Sequence, residues 1–263
     1  MDREAALNAV IASWAETSLI DRHVNISNEL VNAAQALNLT EKRVVSCCIA
    51  KIDTLRKGGG SLVNNGLVKL SATEYAEAAQ ITREAAYMEM QSAADNLFQR
   101  YIRIAQETKR GPKETKFRWV SGVTYHKGEG WIELRFTPEV APHLVMLEKR
   151  FTSYRLAQAS ALRSLYSWRL LELLTQFEST DWRQIDIEDF HHAMEAKASH
   201  RKNFTETRRW IIEPAIKELT DKDGWAIAWE PVKAGRKVTA IKFVFKRDPQ
   251  GRLPLEDAAS RNP

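Results

Sequence analysis

Between residues 40 and 52 the apolar positions Val44, Val45, Cys48, Ile49 and Ile52 recur at helical spacing, with Thr40 placed to cap the segment. Upstream, Ser27 caps a helix expected to run to Leu37, with Leu30, Val31, Ala34 and Leu37 facing inward. Residues 3–18 place Leu7, Val10, Ile11 and Trp14 on one side of a short amphipathic helix. The run Gly58-Gly59-Gly60-Ser61 has no lysine in P-loop register and reads as a flexible loop. Residues 70–98 predict two further helices. Ser71 and Glu74 form a capping-box pattern, and Thr82 caps a helix that turns Ala86, Met90, Ala93, Ala94 and Leu97 inward. The connection between these helices is very short, which is the sequence form of a helix-turn-helix. A strand at Tyr101–Ala105, a polar loop at 109–116, and strands Phe117–Tyr125 and Trp131–Phe136 around Gly128-Glu129-Gly130 follow. Helices, helix-turn-helix, then hairpin is the order of a winged helix.

The second half repeats that order. Tyr154–Phe177 reads as one long helix carrying Leu162, Leu165, Tyr166, Arg169, Leu170, Leu173 and Leu174 in register. Ile185-Asp186-Ile187-Glu188-Asp189-Phe190 parallels Leu70-Ser71-Ala72-Thr73-Glu74-Tyr75: an apolar residue, a cap, then a short acidic helix with an aromatic. Asn203 and Glu206 repeat the capping-box pattern ahead of a helix anchored by Ile211, Ile212, Ala215, Ile216 and Leu219. Pro214 removes one backbone bond there and should kink the helix. A hairpin closes the repeat: Trp225–Glu230, a turn at Pro231–Gly235, and Val238–Phe245. The expected fold is α+β, mainly helical, with two tandem winged-helix domains, residues 1–140 and 141–250, and a polar tail at 251–263.

Composition narrows the setting. The 263 residues are 44% hydrophobic and 28% charged, which excludes a mostly disordered chain. No apolar run approaches the roughly 18 residues of a membrane span. The N-terminus lacks the apolar core of a secretory signal. The two cysteines, Cys47 and Cys48, are adjacent and lie mid-helix, so they form neither a disulfide framework nor a zinc pair, and Cys48 reads as core. A reducing, cytoplasmic location is expected.

Charge then distinguishes the two halves. The net charge of +5 is mild, but its distribution is uneven. Lys233, Arg236, Lys237, Lys242, Lys246 and Arg247 fall within one stretch free of acids, and His200, Arg201, Lys202, Arg208 and Arg209 are opposed only by Glu206. A recognition helix offers its N-terminal turns to base edges in the major groove, where arginine suits guanine and asparagine suits adenine. Arg201, Lys202, Asn203, Thr205, Arg208 and Arg209 are therefore the candidate DNA-facing residues, with Arg208 nearest the apolar stripe. Arg236 and Lys237, at the hairpin tip, suit sugar-phosphate contacts, although such a hairpin also reads as a solvated edge protected by lysines. In the first half Thr82, Arg83 and Tyr87 open the equivalent helix, which is less basic and suits either phosphate or a partner chain. Lys109, Arg110, Lys113 and Lys116 offer backbone contacts or simply a solvated loop. No enzyme signature stands out: His191-His192 is not a His-x-His pair, Tyr166 sits in an apolar helix, and no Walker A, GxSxG or zinc-spaced set occurs. No catalytic residue, metal or cofactor is expected.

Three segments carry a family resemblance: VNISNELVNAAQALNLTEKRVVSCCIAKI, LRSLYSWRLLELLTQF and KNFTETRRWIIEPAIKEL. The second resembles a Y-S-x-R-x-Y-E-L-L helix through Tyr166, Ser167, Arg169, Glu172, Leu173 and Leu174. The third resembles a recognition helix through Phe204, Pro214, Ala215 and Glu218. Together, over roughly residues 24–247, the chain resembles the initiator Rep proteins of iteron-containing, theta-replicating plasmids. The resemblance implies a replication initiator, not an enzyme, that binds tandem direct repeats (iterons) in double-stranded origin DNA as a monomer. It implies that the second domain grips one major groove through Lys202, Asn203, Thr205, Arg208 and Arg209 while the first contacts the neighbouring groove and backbone. It also implies a homodimer in equilibrium with the monomer that represses its own promoter, host initiator and helicase proteins as partners, and no membrane. The sequence departs from the family at Leu219-Thr220, often Ile-Asn there, and in its Trp225 and Trp229 hairpin. The residues alone also leave open a winged-helix transcriptional repressor, a rolling-circle nuclease and a protein-interaction module.

Overall fold

The computed structural model describes residues 18–57, 66–126, 128–145 and 150–247. The helix expected at 3–18 (Ser18 apart), the glycine run at 58–61 and the tail at 251–263 lie outside the described residues. The chain enters through β1 (His23–Ser27) and α1 (Asn28–Asn32), then α2 (Leu39–Lys57), β2 (Leu67–Ser71), α3 (Ala72–Ala79) and α4 (Arg83–Leu97). Strands β3 (Tyr101–Thr108) and β4 (Gly111–Arg118) form a separate hairpin, and β5 (Val120–His126) and β6 (Trp131–Phe136) form another. Then come β7 (Phe151–Arg155), α5 (Leu156–Ser160), α6 (Leu165–Thr175), β8 (Trp182–Asp186) and α7 (Ile187–Ala193). A short α8 (Phe204–Thr207), a π turn (Arg208–Ile212) and α9 (Glu213–Asp223) form one continuous helical rod before β9 (Trp225–Ala234) and β10 (Lys237–Arg247).

The repeat expected from sequence appears as repeated topology. One sheet has the order β2-β6-β5 and another β8-β10-β9. In each, the second strand of the hairpin inserts beside the strand that opens the helix-turn-helix. These are two winged helices. Ser71 and Glu74 close a full capping box, Ser71 Oγ accepting from the Glu74 N–H at 3.2 Å and Glu74 from the Ser71 N–H at 2.8 Å. Thr82 caps α4 by accepting from the Ala85 N–H at 3.2 Å.

Several elements differ from the periodicity. The helix begun by Ser27 stops at Asn32 instead of reaching Leu37, because tertiary partners take its carbonyls: the Arg169 guanidinium donates to Val31 O at 2.6 Å and to Ala33 O at 2.9 Å. The cap of α2 is Asn38, not Thr40; its Oδ1 accepts from the Glu41 N–H at 2.9 Å while Glu41 accepts back from the Asn38 N–H at 3.0 Å. The long helix expected over Tyr154–Phe177 is three elements, because β7 pairs antiparallel with β1 and Ser164 caps a fresh helix at Tyr166. The polar loop at 109–116 is largely strand β4. Nearly all of β4 is exposed, so no alternation marked it as a strand. The strand drawn through Phe117–Tyr125 breaks at Trp119, which is buried and donates its indole N–H to Gln35 O at 2.8 Å.

The centre of the molecule is ionic. Glu172 on α6 is fully buried and accepts from Lys42 Nζ at 2.6 Å, Arg169 Nη1 at 2.7 Å and the Tyr154 hydroxyl at 2.9 Å. Trp168 donates to that Tyr154 oxygen at 3.0 Å, and Lys42 also donates to Gln35 Oε1 at 2.8 Å. Burial alone would push the Glu172 carboxyl up; Lys42, Arg169 and the hydrogen bonds outweigh it and hold the group below its ordinary range. Burial lowers Lys42 to about 8 against the pull of Glu172. All three nitrogens of Arg169 are engaged, its Nε donating to Ala193 O at 2.9 Å. The group therefore joins α1, α2 and α6 to the end of α7. Glu195 reinforces the same junction by accepting from the Gln35 and Ala36 N–H groups, each at 2.9 Å. Arg169→Ala should leave Glu172 with Lys42 as its one cation, leave three carbonyls without their guanidinium donor, and lower stability by about 3–5 kcal/mol, read from urea unfolding; a loss below about 1 kcal/mol would show the network is not a structural keystone.

Candidate nucleic-acid interface

The rod from Phe204 to Asp223 is held by its buried side: Thr207, Ile211, Ile212, Ala215 and Leu219. Thr207 Oγ1 donates to His200 O at 3.0 Å and lies 2.9 Å from His191 Nε2, so the rod is pinned to the loop before it and to α7. Burial keeps the His191 imidazole below its ordinary range. His191 is thus the core histidine of the pair, and His192 is half-buried. Asn203 caps the rod by accepting from the Glu206 N–H at 3.0 Å. The reciprocal half of the expected capping box is absent, because the Glu206 carboxylate instead accepts from the Trp210 indole N–H at 2.8 Å.

Pro214 acts one turn earlier than its own position. It has no N–H for the carbonyl of Trp210, and the Glu213 N–H reaches back five residues to Arg208 O. The resulting π turn leaves three consecutive residues, Arg208, Arg209 and Trp210, exposed. Thr205, Asn203, Lys202 and Arg201 are exposed on the approach. Arg208, which lay nearest the apolar stripe on an ideal wheel, is turned to solvent and pairs with Glu213 at 3.3 Å. Arg209 lies over the Trp210 ring at 5.2 Å, and the other rings form a short stack: His200 parallel to Trp210 at 5.6 Å, and Tyr166 donating or accepting through its hydroxyl at 3.2 Å from His200 Nδ1.

The hairpin β9–β10 rises beside this rod. Phe204, the first residue of α8, packs on Trp229 of β9 at 5.9 Å, which sets the start of the rod against the base of the hairpin. Gly235 at φ 62° and Arg236 make the two-residue turn, and Lys233, Arg236 and Lys237 are exposed around it. The structure therefore brings the 201–209 set and the Arg236–Lys237 set together on one winged helix.

In the first winged helix Thr82 and Arg83 are exposed at the start of α4. Tyr87 is half-buried, its hydroxyl enclosed, so it offers a ring flank and no donor to the outside. Arg83 approaches the β5–β6 turn closely: a Cβ on Gly130 would lie 3.8 Å from its guanidinium. Beside that turn stands a group that the sequence does not single out. Lys69 sits 4.0 Å over the Trp131 ring, and His126 stacks on the same ring at 5.5 Å. Their only signal is cross-strand placement, since Ser71 pairs with Trp131 and Lys69 lies diagonal to it. Lys113 and Lys116 stand apart on β4; Lys113 pairs across with Gln106, and Lys116 is bridged to Glu114 at 2.8 Å.

Other chemistry has little support among the described residues. No group of three or more His, Cys, Asp or Glu is placed to hold a metal ion. No described helix is long and apolar enough to cross a membrane. Cys47 and Cys48 are both buried, and burial raises both thiols, Cys48 to about 12, so neither offers a thiolate near neutral pH.

Comparison with known proteins places this geometry in a family. Residues 23–175 match the model described as "Initiator Replication protein, WH1", and residues 186–245 match "Initiator Rep protein, WH2". A "Replication initiation protein" of Escherichia coli is 24% identical over 235 residues, covering 88% of this chain and 71% of the relative. The "PI protein" of Escherichia coli is 25% identical over 252 residues, covering 84% of this chain and 81% of the relative. The crystal structure of Pi initiator protein in complex with iteron DNA superposes with a TM-score of 0.72 at 22% identity, covering 88% of this chain and 99% of that one. At that identity the superposition establishes the shared fold. With the first model alone spanning more than half its length and the second covering the other winged helix, the chain belongs to the initiator replication (Rep) protein family.

Proposed function

We propose that this protein initiates plasmid replication by binding tandem direct repeats in double-stranded origin DNA. The observation that carries the reading is the exposed face of the rod capped by Asn203. Thr205, Arg208 and Arg209 stand on a helix of major-groove width, Arg201 and Lys202 are exposed in the turn that leads into it, and a hairpin whose tip is Arg236-Lys237 flanks it. The related Pi initiator, of the same fold, was crystallised on iteron DNA. In this reading Arg209 and Asn203 contact base edges, and Arg236 and Lys237 contact phosphate. Thr82 and Arg83 touch the backbone of the neighbouring groove with Tyr87 as their apolar support. Lys113 and Lys116 lie along the flanking backbone. Autorepression by a dimer held through the first winged helix, and recruitment of host initiator and helicase proteins, belong to the same proposal.

The direct test is a nuclease footprint of the full chain on DNA flanking its own coding region, at near-physiological salt. Regularly spaced protection over direct repeats supports an initiator of this kind; a single protected palindrome favours a repressor, and cleavage of one strand overturns the reading. Arg209→Ala should weaken binding to one repeat by about 1–3 kcal/mol, measured by titration of a labelled duplex, with less effect on unrelated DNA. The double variant Arg236→Ala, Lys237→Ala should weaken all duplexes nearly alike and reduce the slope of log K against log salt by about 2. An unchanged slope would remove the hairpin tip from the phosphate contacts.

A further inference from the structure

An exposed tryptophan is ordinary on a protein surface when it stands alone. Trp210 does not. It is 47% exposed in the second turn of the rod, next to Arg209 and five residues beyond Thr205, on the side where the π turn pushes three successive residues outward. Its one polar atom is already committed, the indole N–H donating to Glu206 Oε2 at 2.8 Å. One ring face is backed by His200, at 5.6 Å and nearly parallel, and His200 is itself held by the Tyr166 hydroxyl at 3.2 Å. The Arg209 guanidinium lies 5.2 Å from the ring centre. The side chain is therefore ordered before any ligand arrives, and the surface it offers outward is carbon.

A pre-ordered apolar surface between groove-facing side chains has one partner on a major-groove floor. Guanine, adenine and cytosine present acceptors and donors there, which an indole with its N–H committed cannot satisfy; thymine presents a methyl group at C5. Covering that methyl removes apolar surface from water on both sides, and little side-chain freedom remains to be lost on contact. We propose that Trp210 is a specificity-determining residue that selects a thymine in each bound repeat by contact with its 5-methyl group. The inference rests on the reading that this rod enters the major groove. The neighbouring Arg209 contributes a separate contact, to a guanine, so the pair reads two adjacent bases by different chemistry.

Uracil-for-thymine replacement isolates the methyl, since it removes that group and leaves base pairing unchanged. The probe is a synthetic duplex of one repeat protected in the footprint, with each thymine replaced singly by deoxyuridine. Wild-type protein should bind the unmodified duplex specifically, which tests the groove reading on its own. It should lose about fourfold in affinity at one thymine position, the value of one buried methyl-sized group. Trp210→Ala should bind the thymine and uracil duplexes equally at that position, and Trp210→Phe should retain most of the preference. Two results overturn the proposal while leaving the groove reading intact. One is wild-type binding indifferent to uracil at every position. The other is a Trp210→Ala variant that binds all duplexes more weakly but still prefers thymine at that position, which would make Trp210 only a support for Arg209.

Discussion

Glu172 carries its charge inside the molecule only because Lys42 and Arg169 reach it, at 2.6 and 2.7 Å. Neither cation is free to serve it alone. Lys42 is shared with Gln35, and Arg169 spends its remaining donors on the carbonyls of Val31, Ala33 and Ala193. Each of those carbonyls belongs to a different piece of the fold: the end of α1, the extended segment after it and the end of α7. A buried charge cluster costs desolvation, and such groups are weak stabilisers taken as a whole. What they impose is geometry, because every member must be in place for any member to be satisfied. That requirement cuts α1 short and places the second winged helix against the first. It therefore fixes how the two sets of candidate DNA contacts stand relative to each other.

A second constraint acts locally on the rod Phe204–Asp223. Pro214 has no N–H, and the backbone accommodates it by widening one turn instead of breaking the rod. Because of the wider turn, Arg208, Arg209 and Trp210 can all be exposed while Ile211 and Ile212, the next two residues, are both buried. A regular helix would have spread three successive side chains over more than half its circumference. Glu206 accepts no bond back from the Asn203 N–H and instead tethers Trp210, so the capping geometry and the exposed face of the rod are coupled through one residue.

Elements built from local rules were legible from the chain. The Ser71 capping box, the Thr82 cap, the inward face of α4 and the alternating strand β10 all express periodicity or spacing within a dozen residues. Their tandem order was enough to expect two winged helices. Elements that depend on a distant partner were not legible. Strand β4 has no buried face to alternate, β7 is a strand only because β1 lies beside it, and the Lys69–Trp131–His126 group exists only after β2 and β6 pair. Among the candidate contacts, residue type and charge could nominate Arg201 to Arg209 and the hairpin tip. They could not foresee that Tyr87 would turn its hydroxyl inward, or that Trp210 would be exposed and stacked on His200.

The division has a physical basis. Hydrogen bonds, caps and apolar faces within one helix or hairpin are decided by neighbours a few residues apart, so the sequence by itself determined the winged-helix order, the basic start of the rod and the basic hairpin. Burial of Glu172, the docking of one unit on the other, and the ordering of Trp210 through His200 each depend on a contact between residues more than 30 positions apart: Lys42 with Glu172, Gln35 with Glu195, and Tyr166 with His200. Such contacts have no signature in spacing, because their energy appears only when the chain has already closed the distance, and only the tertiary structure decided them.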